Sequence, residues 1–279
     1  MRTFIAALLL SVLCACGPIS TPPTATSTPR PKTPTQATDT QSLQAELNTE
    51  GHVYITRTIT SNGTLKPPAG STITFSETGK LKRDETSTGA AVDVSQPNVT
   101  INNLRVQGSD PCYWTNTLPY NPNSVGEKYS QYNPRREEQA ALYTRDGADH
   151  LTVRGLEAYD VWGDGITFLG GNDIVVENVK VRCTGRSGIS NVKSSNVTVT
   201  GGEISGAFWW GLNIEPFGTN TVSNYRVSGI SVGYTRYPWL FAGGPNFNCR
   251  VHNVDATGNT ALLTSTRPAD IAPCAQVRF

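Results

Sequence analysis

Six nine-residue segments with one shared pattern constrain the fold of this 279-residue chain more than any other feature. Each segment opens with a polar residue, has Asn or Gly at its sixth place, and is mostly apolar at its second, fourth, seventh and ninth places. The segments cover residues 98–106, 150–158, 173–181, 196–204, 224–232 and 248–256. The period of two in each half predicts two short strands, and the Asn or Gly predicts a corner between them.

A third apolar stretch follows the segments at a fixed distance. Gly165, Gly188, Gly211 and Trp239 each stand seven residues after the last position of a segment. The segments that begin at residues 150, 173, 196, 224 and 248 are 23, 23, 28 and 24 residues apart. This period is typical of a solenoid with stacked coils, and the Leu-x-x-Leu-x-Leu pattern of leucine-rich repeats is missing. We therefore predict an all-β, right-handed parallel β-helix with three short strands per coil, with a β-sandwich as the alternative.

The beginning of the chain predicts export. Residues 1–15 combine Arg2 with an apolar run at 4–12 that is too short to span a bilayer. The run Leu-Cys-Ala-Cys-Gly at 13–17 resembles the bacterial lipobox, which implies that Cys16 is the acylated first residue of a membrane-anchored lipoprotein of the cell envelope. The alternative is an ordinary secretory signal. Residues 16–40 are rich in Pro and Thr and predict a disordered linker.

The predicted β-helix domain covers residues 41–279. A short amphipathic helix at 41–48, with Leu43 and Leu47 four places apart, is expected to cap the open N-terminal end of the coils. Ala141 begins a third strand 35 residues after Val106 instead of seven, so about 28 residues are inserted at about 107–136. Insertions of this length are usually functional. A smaller insertion of five residues follows Glu215.

Four cysteines beyond the signal predict two disulfides in an exported chain. Cys249 and Cys274 lie about one coil apart and would close the C-terminal end, while Cys112 and Cys183 would pin the long insertion. No His or Cys spacing indicates zinc, and we predict neither a metal nor a cofactor. Lys and Arg number 23 and Asp and Glu number 22, so the charge balance gives no case for nucleic acid as a partner.

Stacking predicts where a functional site lies. The turn before each third strand carries aromatic and charged residues, which stacked coils would gather on one edge: Glu138, Trp162, Asp164, Arg186, Trp209, Trp210 and Tyr237. Trp and Tyr beside carboxylates and Arg are typical of a sugar-binding groove, and we assign Trp162, Trp209, Trp210 and Tyr237 to substrate binding. Asn213 and Glu215, facing outward at the far end of a third strand, are further substrate-binding candidates.

Three of these residues are catalytic candidates. Glu138 and Asp164 lie one coil apart, which would place their carboxyl groups roughly 5–9 Å apart, the span that glycoside hydrolases use. Arg186, one coil further, would bind an anionic sugar group. The alternative is a structural salt bridge between Asp164 and Arg186.

The runs GDGI, GRSGIS and GLNIEP in successive coils resemble β-helix repeat proteins of the pectin-lyase-like superfamily over about residues 98–254. This resemblance implies the fold, whereas the catalytic motifs differ. Asp164-Gly165 matches the first polygalacturonase motif, but Arg186-Ser187 replaces its Asp pair and Trp209-Trp210 replaces its Gly-His-Gly. The Asp-rich calcium site of pectate lyases and the Asp-Pro-His-Glu motif of mannuronan epimerases are also missing from the sequence.

Two functional hypotheses follow. The first is a lipid-anchored hydrolase or lyase that acts on a polysaccharide. The second is a non-catalytic surface protein that binds glycan or cell-wall material or has a structural role. They differ in geometry, because catalysis requires two free carboxyl groups, or one beside Arg or Lys, on an open groove, whereas the second hypothesis expects paired carboxylates.

Overall fold

The structure is a computed structural model that describes residues 33–84, 86–109, 138–233, 235, 241–242, 250–261 and 276–278, with only the backbone at 241, 242 and 261. The chain divides into two compact units, Met1–Arg30 and Pro31–Phe279. The first unit lies outside the described residues, and with it the predicted signal peptide and Cys16. No helix in the described part is long and apolar enough to cross a membrane.

The third strands of successive coils form one parallel sheet, which we call the third sheet. In the described part its order is β15-β13-β11-β9-β7-β5. The strands are β5 (Val92–Val94), β7 (Leu142–Thr144), β9 (Ile166–Phe168), β11 (Ile189–Asn191), β13 (Leu212–Ile214) and β15 (Phe241–Ala242).

The remaining strands form a second parallel sheet of 12 described strands, the long sheet. They are β1 (His52–Ile55), β2 (Thr58–Ser61), β3 (Thr72–Phe75), β4 (Lys80–Arg83), β6 (Thr100–Gln107), β8 (Thr152–Val161), β10 (Asn172–Thr184), β12 (Ser194–Ala207), β14 (Val222–Gly233), β16 (Val251–Asp255), β17 (Thr260–Ala261) and β18 (Val277–Arg278). In the middle coils the first two strands of the predicted unit are one continuous strand of 10 to 14 residues with a corner inside it.

The coils stack in the predicted register. Ile189 pairs with Ile166 on one side and with Leu212 on the other, and each of the three is at most 1% exposed. Inward-facing Val, Ile and Leu from both sheets join them in one continuous core. The prediction of an all-β parallel β-helix is confirmed.

Residues in the left-handed backbone region mark the corners of the coils and recur every five residues. The first and sixth places of the segments hold such residues, for example His150 (φ 56°) and Gly155 (φ 79°). The eleventh place holds them too, at Asp160, Cys183 and Gly206. Asn, Asp and Gly tolerate this conformation best, which explains the polar first place and the Asn or Gly at the sixth. The eleventh-place corner was not evident from the sequence pattern.

The predicted position of the last segment is wrong by five residues. Tyr225 pairs with Val254, and the side-chain amide of Asn253 donates to Oδ1 of Asn224 at 2.7 Å. The segment therefore begins at Asn253 instead of residue 248. Because first and sixth places both favour Asn, the pattern matches itself after a shift of five residues.

A helix covers the N-terminal end of the coils, as predicted. Helix α1 (Thr40–Glu50) begins at Asp39, whose side chain accepts a hydrogen bond from the Ser42 backbone amide, and it buries Leu43 and Leu47 completely. The predicted linker, however, is too long. The Thr35 amide donates to the Tyr54 carbonyl at 2.8 Å, and Thr35 and Ala37 are buried. Residues 35–39 therefore belong to the folded domain.

Candidate functional site

The turns that directly precede the third strands, here called the leading turns, stack by backbone hydrogen bonds. The Gly163 amide donates to the Gln139 carbonyl at 3.1 Å, and the Trp209 amide donates to the Arg186 carbonyl at 2.9 Å. A side chain on the glycine that follows two of these turns would clash with the next coil: a Cβ on Gly165 would lie 2.6 Å from the Gly188 carbonyl oxygen, and one on Gly188 would lie 2.7 Å from the Gly211 carbonyl oxygen. The predicted gathering of residues from different coils on one edge is therefore present, and we call it the leading edge.

Asp164 has both carboxylate oxygens engaged. Oδ1 accepts a hydrogen bond from the Ser187 backbone amide of the next coil at 2.7 Å, and Oδ2 accepts one from the Thr167 hydroxyl at 2.9 Å. The side chain is only 2% exposed. Both of these donors are uncharged. The alternative of a salt bridge between Asp164 and Arg186 stays a prediction. These contacts suit a structural link between two coils.

The outward face of the third sheet is buried where it meets the leading edge. Tyr143, Thr167, Ser190 and Asn213 pair in one row across four strands, and their exposed fractions are between 1% and 6%. By strand alternation these side chains point away from the core. The row is therefore covered and does not form the floor of an open groove.

Charges converge around Tyr143. Burial raises the pKa of its phenol, the carboxylates of Asp164 and Glu138 raise it further, and the guanidinium groups of Arg186 and Arg145 oppose them. Arg145 also lies over the ring at 5.3 Å and forms an ion pair with Asp93 at 3.0 Å. Of the catalytic candidates, Glu138 is exposed and Arg186 half-buried. The catalytic role of Glu138, Asp164 and Arg186 stays a prediction.

Of the four residues predicted to form a sugar platform, three lie on the leading edge, and their role in sugar binding stays a prediction. Trp162, Trp209 and Trp210 are half-buried on the leading edge, and the ring of Trp209 packs edge-on against Phe208 with centroids 5.1 Å apart. Half-buried indoles combine an apolar face with a polar N–H, which suits contact with sugars. Tyr237 lies outside the described residues.

Asn213 and Glu215 form one cluster at the other end of strand β13. The Asn213 amide donates to Ser190 Oγ at 3.0 Å and to Glu215 Oε2 at 3.1 Å. Its carbonyl oxygen is buried without a hydrogen-bond partner. Asn213 belongs to the covered row and Glu215 lies two residues further along the chain, and the described contacts do not bring Glu215 to Asp164.

Cys183 is disulfide-bonded and sits at an eleventh-place corner, one residue before the leading turn that carries Arg186. Cys112, Cys249 and Cys274 lie outside the described residues, so both predicted pairings stay predictions. In the described part, no group of three His, Cys, Asp or Glu side chains is arranged to hold a metal ion.

A polar cavity of about 540 Å³ lies at the opposite ends of the third strands, and neither Asn213 nor Glu215, the candidates predicted at that end, is among its described lining residues. It is formed by the turns that follow the third strands, here called the trailing turns, including Asp146, Asp149, Lys193 and Thr221. The signal in the sequence was the five-residue insertion after Glu215, which forms part of its lining.

Comparison with known proteins leaves the family open. No protein-family model and no curated protein matches the sequence. Among solved structures, the enzymatically active domain of tailspike protein 2 of bacteriophage CBA120 is similar, with a TM-score of 0.43 and 12% sequence identity. The match covers 79% of this chain and 40% of that domain, so the chain spans less than half of its length. A likeness this distant carries no argument about function.

Proposed function

We propose that this protein is an exported, lipid-anchored β-helix protein that binds a polysaccharide or cell-wall glycan on its leading edge without cleaving it. Support for binding comes from Trp162 on one leading turn and from Trp209 and Trp210 on the leading turn two coils further along the same edge. Glycan binding commonly uses such partly exposed aromatic faces beside polar groups.

The observation that carries the non-catalytic part is the state of Asp164. A general acid or base must reach the reacting oxygen within hydrogen-bond distance. The Asp164 carboxylate is instead 2% exposed, and it already accepts hydrogen bonds from Ser187 and Thr167. The buried row on the adjoining sheet face leaves no open floor beside it.

A hydrolase or lyase is the second candidate, and one observation favours it. Glu138 is exposed, and its charge and that of Asp164 raise the pKa of the buried Tyr143, whereas the charge of Arg186 lowers it. A carboxylate beside a cation is a minimal arrangement for acid–base chemistry. This candidate requires that the leading edge opens when substrate binds.

Affinity electrophoresis through gels that contain acidic or neutral polysaccharides tests the binding. We expect at least one polysaccharide to retard the protein, and we expect Trp209→Ala to weaken that retardation about tenfold, which corresponds to about 1.4 kcal/mol. Tyr159→Ala, on the long sheet, is the matched control and should change it less than twofold. Equal retardation of both variants, or none of the wild type, contradicts the proposal.

The lipid anchor is proposed from the sequence around Cys16 alone. We expect globomycin to block processing of the precursor and Cys16→Ala to move the protein from the membrane to the soluble fraction. Normal processing in the presence of globomycin argues for an ordinary secretory signal.

A further inference from the structure

The cavity at the trailing turns owes its shape to turn length. The residues that end the third strands stack as Phe168, Asn191 and Ile214, and the long-sheet residues Val175, Thr198 and Arg226 stack in the same coils. The chain takes seven residues between these rows in two coils (168 to 175 and 191 to 198) and twelve in the next (214 to 226). Two short turns therefore lie beside a turn that projects beyond them.

The floor of the cavity carries no side chains over part of its length. Gly170 and Gly171 lie in the first short turn, and a Cβ on Gly170 would meet the Asp146 backbone nitrogen at 2.4 Å. The projecting turn contributes Thr219, Asn220 and Thr221 as one wall. At about 4.8 Å per coil, this trough is wide enough for one or two sugar rings.

The lining is polar and has one net negative charge. Lys193 Nζ lies 2.6 Å from Asp146 Oδ2, so these two charges compensate each other. Asp149 accepts a hydrogen bond from the Asn172 backbone amide at 3.0 Å through Oδ1. The described contacts give its Oδ2 no hydrogen bond, and Asp149 faces the same trough. An amide donor leaves most of the charge of that carboxylate in place.

We propose that this trough is a second carbohydrate site, which binds a neutral or amino sugar and rejects uronates. Hydroxyl and amide groups of Ser195, Thr219, Asn220 and Thr221 supply donors and acceptors for sugar hydroxyls. The Asp149 carboxylate favours an ammonium group on the sugar and repels a carboxylate. The site uses no residue of the leading edge and goes beyond the proposed function.

Titration of the protein, expressed from its full sequence, with glucosamine, glucose and glucuronate tests the inference by saturation-transfer NMR. We expect glucosamine to bind most tightly, glucose about tenfold more weakly, and glucuronate not at all below tens of millimolar. Failure of all three sugars to bind at these concentrations overturns the inference, and so does tightest binding of glucuronate.

Single-charge variants with opposite signs locate the site. Asp149→Asn keeps an acceptor for the Asn172 amide, so we expect it to preserve the fold, weaken glucosamine binding about tenfold and leave glucose within twofold. Lys193→Met removes the positive charge, and we expect it to strengthen glucosamine binding about fivefold. Glu177→Gln on the long sheet is the control and should change neither the affinity for glucosamine nor the affinity for glucose. Identical affinities in all three variants overturn the assignment.

Deletion of residues 217–221 removes the wall and restores the turn length found in the two preceding coils. We expect loss of binding of both glucosamine and glucose, with circular dichroism unchanged. If the deletion variant does not fold, the charge variants decide the question alone. Trp209→Ala separates the two sites: it should leave glucosamine binding within twofold, whatever it does to polysaccharide binding on the leading edge.

Discussion

The two ends of the third-sheet strands present similar residue types but hold them differently. On the leading edge, Asp164 is 2% exposed and tied to the next coil by a backbone amide. On the trailing side, the Asp146 and Lys193 side chains are 72% and 41% exposed and form an ion pair with each other. Coil stacking brings residues from different coils into rows in both places. The contacts of each turn then decide whether its charges link the coils or face a ligand.

The largest expected effect is on stability, and it tests the disulfide of Cys183 beside the leading edge. Loss of a native disulfide from an exported domain typically costs about 2–5 kcal/mol, so we expect Cys183→Ser to lower the free energy of unfolding in urea by that amount. Non-reducing peptide mapping should recover Cys112 joined to Cys183. A peptide that joins Cys183 to any other cysteine refutes the predicted pairing.

The next comparison changes one aspartate on each side. Asp164→Ala leaves the buried Ser187 amide without an acceptor. We therefore expect this substitution to lower the free energy of unfolding in urea by about 3 kcal/mol. Asp164→Asn keeps an acceptor for that amide and should lower the free energy of unfolding by only about 1 kcal/mol. Asp146→Ala removes an exposed ion pair and should change stability by less than about 0.5 kcal/mol.

Equal losses at the two positions would contradict the distinction between the two sides. They would mean that burial and hydrogen bonding of Asp164 add nothing to stability beyond what an exposed ion pair adds.

The smallest expected effect concerns pH and has opposite signs at two carboxyl groups. Burial raises the pKa of Asp160, at a corner just before a leading turn, above 3.8, so its contribution to stability is present below that pH and lost as the pH rises through the folded-state pKa. Asp160→Asn should therefore raise the melting temperature at pH 7 and not at pH 3.

Asp255, away from the leading side, is the control. Hydrogen bonds from the Thr257 side chain and backbone amide lower its pKa below 3.8, so its contribution is present above that pH and lost as the pH falls through the folded-state pKa. Asp255→Asn should lower the melting temperature at pH 7, with a difference that shrinks in acid. If both substitutions shift the melting temperature at pH 7 in the same direction, burial is not the cause of the raised pKa of Asp160.

The sequence was sufficient to predict the fold because a β-helix repeats a local pattern. Apolar alternation with glycine at a fixed distance placed Ile166, Ile189 and Leu212 in one ladder. The same regularity caused the error at Asn253, since corners recur every five residues and Asn occupies two of them. Pattern alone could not separate these two registers.

The state of the site could be predicted only in part. The repeat placed Trp162, Asp164 and Arg186 on one edge, but it did not give the hydrogen bonds of Asp164, whose donors are a backbone amide and a neighbouring hydroxyl. Those depend on turn geometry instead of residue type. The trailing trough was missed for a related reason: its lining of Gly, Ser, Thr and Asn is also the ordinary composition of turns.

Bond cleavage in a polysaccharide that the protein retains tests the central claim most directly. The wild type, Glu138→Gln and Asp164→Asn would be incubated with that polysaccharide while reducing ends and the absorbance of unsaturated uronates are followed. We predict that all three retain the polysaccharide and that none releases product above the protein-free control. Product release by the wild type that disappears in folded Asp164→Asn would contradict the account and establish the leading edge as a catalytic site.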